Sequence, residues 1–155
     1  EYTAAFTNHL LCNQVLAQAV VDGMRASGYG RIINVISTSV KAPLKGLGVS
    51  NTIRAAVGNW AKTLSFELAP HGITVNNVLP GATGTDRLKQ IIESKASKQN
   101  HSIEEVSKEM TDEIPMGRFA TPQEIAYAIA FLSSEFASDI TGINVPVDGG
   151  RTPNL

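Results

Sequence analysis

Two serines, one arginine and one histidine hold most of the chemical capacity of this sequence. Ser37 follows the apolar run 32–36, and a hydroxyl at the end of such a run either caps backbone groups or meets a ligand. Ser50 and Arg54 are four residues apart, so on a helix they share one face. As an ordinary helix-start serine and a surface arginine they need no function. As a pair they place a hydroxyl beside a fixed positive charge, and a guanidinium stays protonated and cannot relay a proton. His9 could relay one, because its unperturbed pKa of about 6.5 lies near neutral pH, but a helical histidine is often simply hydrogen-bonded. Thr83 and Thr85 follow Pro80-Gly81, and the Thr85 hydroxyl suits a ligand or the N-cap of a helix around Leu88 equally well. Cys12 is the one cysteine, so an intrachain disulfide and a multi-thiolate metal site are both excluded, and no metal is expected.

The elements that must position these residues are legible as periodicities. Residues 3–26 place Phe6, Leu10, Val15, Leu16, Ala19, Val20 and Met24 at mostly helical spacing, with Gly28 and Gly30 as the stop. Ile32, Ile33, Val35 and Ile36, interrupted only by Asn34, form a run too short for a buried helix. Being apolar on both pleat faces, the run predicts a central parallel strand covered by helices. Residues 49–68 repeat Ile53, Val57, Trp60, Ala61, Leu64 and Leu68 along one helix face, a stripe for core or subunit interface rather than chemistry, and Pro70 and Gly72 end it. A second strand, 73–79, runs into Pro80-Gly81 at its carboxyl end, where ligands bind in open α/β sheets.

Residues 86–113 turn polar and charged, with Ser102 and Glu105 spaced as a capping box. They form either a solvated surface excursion or a mobile substrate lid, and their position after a strand end favours the lid. Thr121-Pro122-Gln123-Glu124 opens a further helix, and 144–147 is a last strand closed by Asp148-Gly149-Gly150. The alternation implies parallel βαβ units in an open α/β sheet. Three strands fall short of the about 4 to 6 of a usual sheet, so residues 1–155 are expected to be a single incomplete domain.

Composition narrows the partners. Thirteen basic and fourteen acidic residues give a net charge of -1 without a basic stripe, which argues against nucleic acid. No apolar run approaches the about 20 residues of a membrane span, and one lone cysteine suits a reducing compartment, so a cytoplasmic protein with no membrane partner is expected.

The stretch 30–81, the run Ile114-Pro115-Met116-Gly117-Arg118-Phe119-Ala120-Thr121-Pro122, and Ile140-Thr141-Gly142 through Asp148-Gly149-Gly150 together resemble the short-chain dehydrogenase/reductase family over nearly the whole chain. The resemblance implies the C-terminal portion of a doubly wound, Rossmann-type parallel-sheet domain that binds NAD or NADP. The N-terminal βαβ units and their glycine-rich phosphate turn have no counterpart here. It further implies hydride transfer between the nicotinamide cofactor and a small-molecule carbonyl or alcohol, with 3-oxoacyl reduction among the candidate reactions, in a homodimer or homotetramer. The family's serine falls on Ser37, its tyrosine position on Ser50, its lysine position on Arg54, and its relay asparagine on His9, or on Asn8 if the match slips by one. Arg54, Pro80, Gly81, Thr83 and Thr85 then become cofactor-binding positions. Ser50 lacks the acidity of a phenol. The alternative is therefore a catalytically impaired relative that serves as a nucleotide-binding or structural subunit of an oligomer.

Overall fold

Every residue of the strand Ile73–Pro80 except Pro80 is buried, because it lies between two other strands and beneath helices on both faces. The computed structural model describes residues 1–153. Its sheet has the order β1 (Gly30–Val35), β2 (Ile73–Pro80), β3 (Asn144–Val147), all parallel, with Gly30 beside Ile73 and Asn77 beside Asn144.

On one face, α2 (Cys12–Ser27) and α3 (Gly48–Leu68) pack Val21, Ala61 and Leu68 against Ile73 and Val75, while Val57 meets Leu79 and Ile36. On the other, α6 (Pro122–Ser133) brings Ile125 and Leu132 onto Val78. Ile32 joins the first face and Ile33 the second, as expected of a strand apolar on both pleat faces. Its place is not the expected one, however. β1 is the edge of this sheet and β2 the centre, so Val35 is 50% exposed and the outer side of β1 has no strand beside it among the described residues.

The first helical stretch is likewise less regular than its spacing predicts. α1 (Tyr2–Phe6) passes through a π-helical turn, Thr7–Leu11, before α2. α2 stops at Gly28, whose left-handed φ of 65° lets its N–H close back on Arg25 and Met24. The polar segment after β2 is ordered into α4 (Asp86–Gln99) and α5 (Ile103–Asp112), which bury Leu88, Ile92, Ala96 and Val106 in a cluster of their own. The capping box expected of Ser102 with Glu105 forms, and the helix start at Thr121 is closed by a second box with Glu124. None of the helices of the described residues is long and apolar enough to cross a membrane.

Candidate functional site

Ser37, Ser50 and Arg54 come together where β1 ends and α3 begins. Arg54 Nε donates to Ser50 Oγ at 3.3 Å, realising the one-turn spacing read from the sequence, and Arg54 Nη1 donates to the Ile36 carbonyl at 3.0 Å, one residue before Ser37. Both acceptors are neutral, so the charge has no carboxylate partner in these bonds. Burial of about half the group lowers the Arg54 pKa from its usual value, yet a guanidinium is effectively always protonated in proteins. The two bonds use two of the five N–H donors a guanidinium carries.

Ser37 is extended, with φ −171°, and its Oγ accepts from the Ser39 N–H at 3.1 Å, capping the short turn Thr38–Val40. Its hydroxyl hydrogen remains available for donation elsewhere. The Asn51 Nδ2 beside the cluster donates to the Leu44 carbonyl at 2.8 Å, tying the preceding loop to α3. Two atoms of this neighbourhood, Ser39 Oγ and Asn51 Oδ1, are buried without a hydrogen-bond partner.

A cleft of about 150 Å³ opens beside Arg54 and is also lined by His9, Asn13 and Asn34. His9 thus shares a cavity with Arg54, whereas Asn8 is not among its lining residues. His9 lies in the π-helical turn Thr7–Leu11. Asn13 and Asn34 were not singled out by the sequence. They begin a chain of amides that crosses the whole sheet: Asn13 donates to Asn34 at 3.2 Å, Asn34 to Asn77 at 3.0 Å, and Asn77 to Asn144 at 2.8 Å. The only signal was Asn34 itself, a polar interruption of an apolar run, which a buried site tolerates when the amide is hydrogen-bonded.

Beyond β2 the chain is held closely. The Gly81 N–H donates to the Val147 carbonyl at 3.0 Å, Thr83 Oγ1 to the Gly81 carbonyl at 3.1 Å, and Thr85 Oγ1 to the Thr83 carbonyl at 3.3 Å. Thr85 Oγ1 also accepts from the Leu88 N–H at 3.4 Å, so it is the N-cap of α4. Pro80, Gly81 and Thr83 lie at the carboxyl end of the central strand, the position where open α/β sheets receive ligands. Among the described residues no group of three or more histidine, cysteine, aspartate or glutamate side chains is placed to hold a metal ion.

A family model described as enoyl-(acyl carrier protein) reductase matches residues 2–152. The NADPH-dependent reductase BacG of Bacillus subtilis is 35% identical over 155 residues, all of this chain and 60% of the relative. The 3-oxoacyl-[acyl-carrier-protein] reductase FabG of Rickettsia typhi is 36% identical over 142 residues, 92% of this chain and 54% of the relative. Among solved structures, YwfH, an NADPH-dependent reductase involved in bacilysin biosynthesis, superposes with a TM-score of 0.94 at 34% identity, covering all of this chain and 59% of that one. The L-sorbose reductase of Gluconobacter frateurii, solved with NADPH and L-sorbose, gives 0.92 at 31% identity, with 99% and 59% covered. The chain thus spans little more than half the length of these relatives.

Proposed function

Because this chain belongs to the short-chain dehydrogenase/reductase family, we propose that it is the later portion of an NAD(P)(H)-dependent oxidoreductase acting on a small-molecule carbonyl or alcohol. The observation that carries the reading is the half-buried Arg54, bonded to Ser50 and to the backbone beside Ser37 and given no carboxylate partner among the described residues.

The donor set fits one end of the dinucleotide. Arg54 has N–H groups beyond the two it uses, suited to ribose hydroxyls, and Pro80, Gly81, Thr83 and Thr85 border the strand end where a nicotinamide carboxamide would lie. The pyrophosphate has no glycine turn to receive it within these residues. When bound, the nicotinamide supplies or accepts the hydride. Ser37 and Ser50 orient the substrate oxygen through their hydroxyls, and Arg54 stabilises negative charge as it develops there. The guanidinium does not give up its proton, so protonation passes through Ser50 or a water molecule, with His9 in the shared cleft as the candidate proton carrier. The α4–α5 hairpin at residues 86–113 is the substrate lid. The relatives include reductases of 3-oxoacyl carrier-protein substrates, which makes that substrate class the first to test. A cytoplasmic homodimer or homotetramer is the expected assembly.

Ser50 in place of a phenol favours a second reading, a relative that binds dinucleotide or a sister subunit without turnover. The deciding experiment uses the full-length protein: titration with NADH and NADPH, then a carbonyl panel that includes 3-oxoacyl thioesters, followed by absorbance of the reduced cofactor. Oxidation of the cofactor with at least one carbonyl supports the first reading. Tight dinucleotide binding with no turnover across the panel transfers the assignment to the second.

A further inference from the structure

The turn that follows β3 touches both ends of the α4–α5 hairpin. Upstream, Gly81 donates to the Val147 carbonyl at 3.0 Å, and a Cβ on Gly81 would stand only 2.7 Å from Asp148 Cβ. Downstream, Met116 donates its N–H to the Gly149 carbonyl at 3.1 Å. Gly149, with φ +66°, approaches Ile114 so closely that a Cβ would lie 2.7 Å from its Cγ2, and Gly150 is set against Pro115. Arg151 Nη2 closes the contact on Glu113 Oε2 at 2.5 Å.

The turn is itself braced, since the Asp148 carboxylate accepts from the Gly150 N–H at 3.0 Å and from the Thr152 N–H at 2.8 Å. The two ends of the hairpin are also fastened to each other, Gly84 donating to the Ala120 carbonyl at 2.8 Å and Ala120 to the Ala82 carbonyl at 3.0 Å. Between these ends the hairpin buries Leu88, Ile92, Ala96 and Val106 together, with Ala82 and Phe119 of the two stems packed against them, so hairpin and stems are expected to loosen as one cooperative unit. A rotation of the hairpin relative to β3 carries Ile114–Met116 past Gly149.

We propose that the turn 148–151 is the clamp that sets the angle of the α4–α5 hairpin against the sheet, with Gly149 and Arg151 as positioning residues for substrate. The proposal rests on the reading of residues 86–113 as a substrate lid. Gly149 is the stronger of the two elements, because its contact is steric and its left-handed backbone disfavours any side chain. Arg151 is the weaker, an ion pair with a largely exposed partner.

The test uses the full-length protein with amide hydrogen exchange read by mass spectrometry and steady-state kinetics. Arg151→Gln should speed exchange in residues 86–112 by about threefold, the scale an exposed ion pair allows, while β2 stays protected. Gly149→Ala should speed it by about tenfold or more, as a side chain forced into a left-handed, occupied position requires. The Michaelis constant for the carbonyl substrate should rise in the same order, with kcat and dinucleotide affinity little changed. The swapped pair Glu113→Arg with Arg151→Glu should return the Arg151→Gln effects toward wild type. Unchanged exchange in the hairpin of both single variants overturns the clamp, and so does an acceleration spread equally through β2. Faster hairpin exchange with an unchanged Michaelis constant overturns the role toward substrate. Should the wild-type protein turn over no carbonyl at all, the proposed oxidoreductase activity falls, and the exchange data still decide the clamp.

Discussion

Arg54 gives the site a permanent charge where the resemblance leads one to look for a group able to part with a proton. Its two observed bonds, to Ser50 and to the Ile36 carbonyl, hold that charge beside Ser37. If the full-length protein is active, Arg54→Ala should weaken dinucleotide binding and turnover together. A loss of about tenfold to a hundredfold is expected, since a hydrogen bond from a charged group is worth about 1.5–3 kcal/mol. Ser50→Ala should lower turnover more than binding. The double change Ser50→Tyr with Arg54→Lys should raise activity where the pocket accommodates the ring. Stopped-flow fluorescence for binding and cofactor absorbance for turnover measure all three, and wild-type values in both alanine variants would leave the pair as ordinary surface. The Ser50–Arg54 contact was legible because it is local, four residues on one helix. Asn13 and Asn34, which line the same cleft, come from different elements that only the folded sheet brings together.

At the level of elements, the parts read correctly from sequence are those whose causes lie within a few residues. Thr121 with Glu124 and Ser102 with Glu105 form boxes because the side chain and the orphan N–H groups that satisfy each other belong to one turn. The π-helical turn at Thr7–Leu11 left no such local mark, and the apolar run of β1 carries no sign of which neighbours it will have. The box at α6 yields a pH prediction. Glu124 lies at about 2, first because Arg118 donates to it at 2.6 and 2.9 Å and then because the Thr121 N–H does. A folded pKa below the unfolded value contributes stability that is present above the unfolded value near 4.5 and is lost as pH falls through about 2. Glu124→Gln should therefore lower Tm at pH 7, and the gap between variant and wild type should narrow steadily from about pH 4.5 downward. A gap independent of pH across that range would assign the effect to something other than this carboxylate. In the α4–α5 hairpin, Ile92→Ala should cost about 2–4 kcal/mol, as large-to-small core changes do. Because Ile92 is buried in a cluster drawn from α4, α5 and the flanking Ala82 and Phe119, hydrogen exchange should show the loosening in α4 and α5 and not in β2.

The whole molecule presents two surfaces that a finished sheet would not leave bare. Leu16 and Val20 of α2 are exposed, the outer side of β1 has no strand beside it among the described residues, and Val15 and Phe66 stand 63% and 68% exposed on α2 and α3. Trp60, in contrast, turns inward and donates to Gln14 at 2.7 Å, so the helix pair is firmly joined before any partner arrives. In the full-length protein this helix pair should meet another subunit, and Val15→Asp with Phe66→Asp should reduce the mass seen by light scattering; an unchanged mass would refute that interface. The dinucleotide poses the sharper question. In the proposed reading the nicotinamide and its ribose fall to Arg54 and to Pro80–Thr85, but the pyrophosphate carries the charge, and a helix N-terminus behind a glycine turn is what usually receives it. The Gly-x-x-x-Gly-x-Gly pattern that forms such a turn in the family does not occur in this sequence. The 155-residue chain produced alone should accordingly bind NADH and NADPH more weakly than about 1 mM, leaving only about 4 kcal/mol of binding free energy. Isothermal calorimetry measures this directly, with circular dichroism establishing that the chain is folded in the same sample. Micromolar binding by the folded chain would mean that Arg54 and the strand-end backbone suffice to hold the cofactor, and the division of labour proposed between this portion and the phosphate-binding units would have to be abandoned.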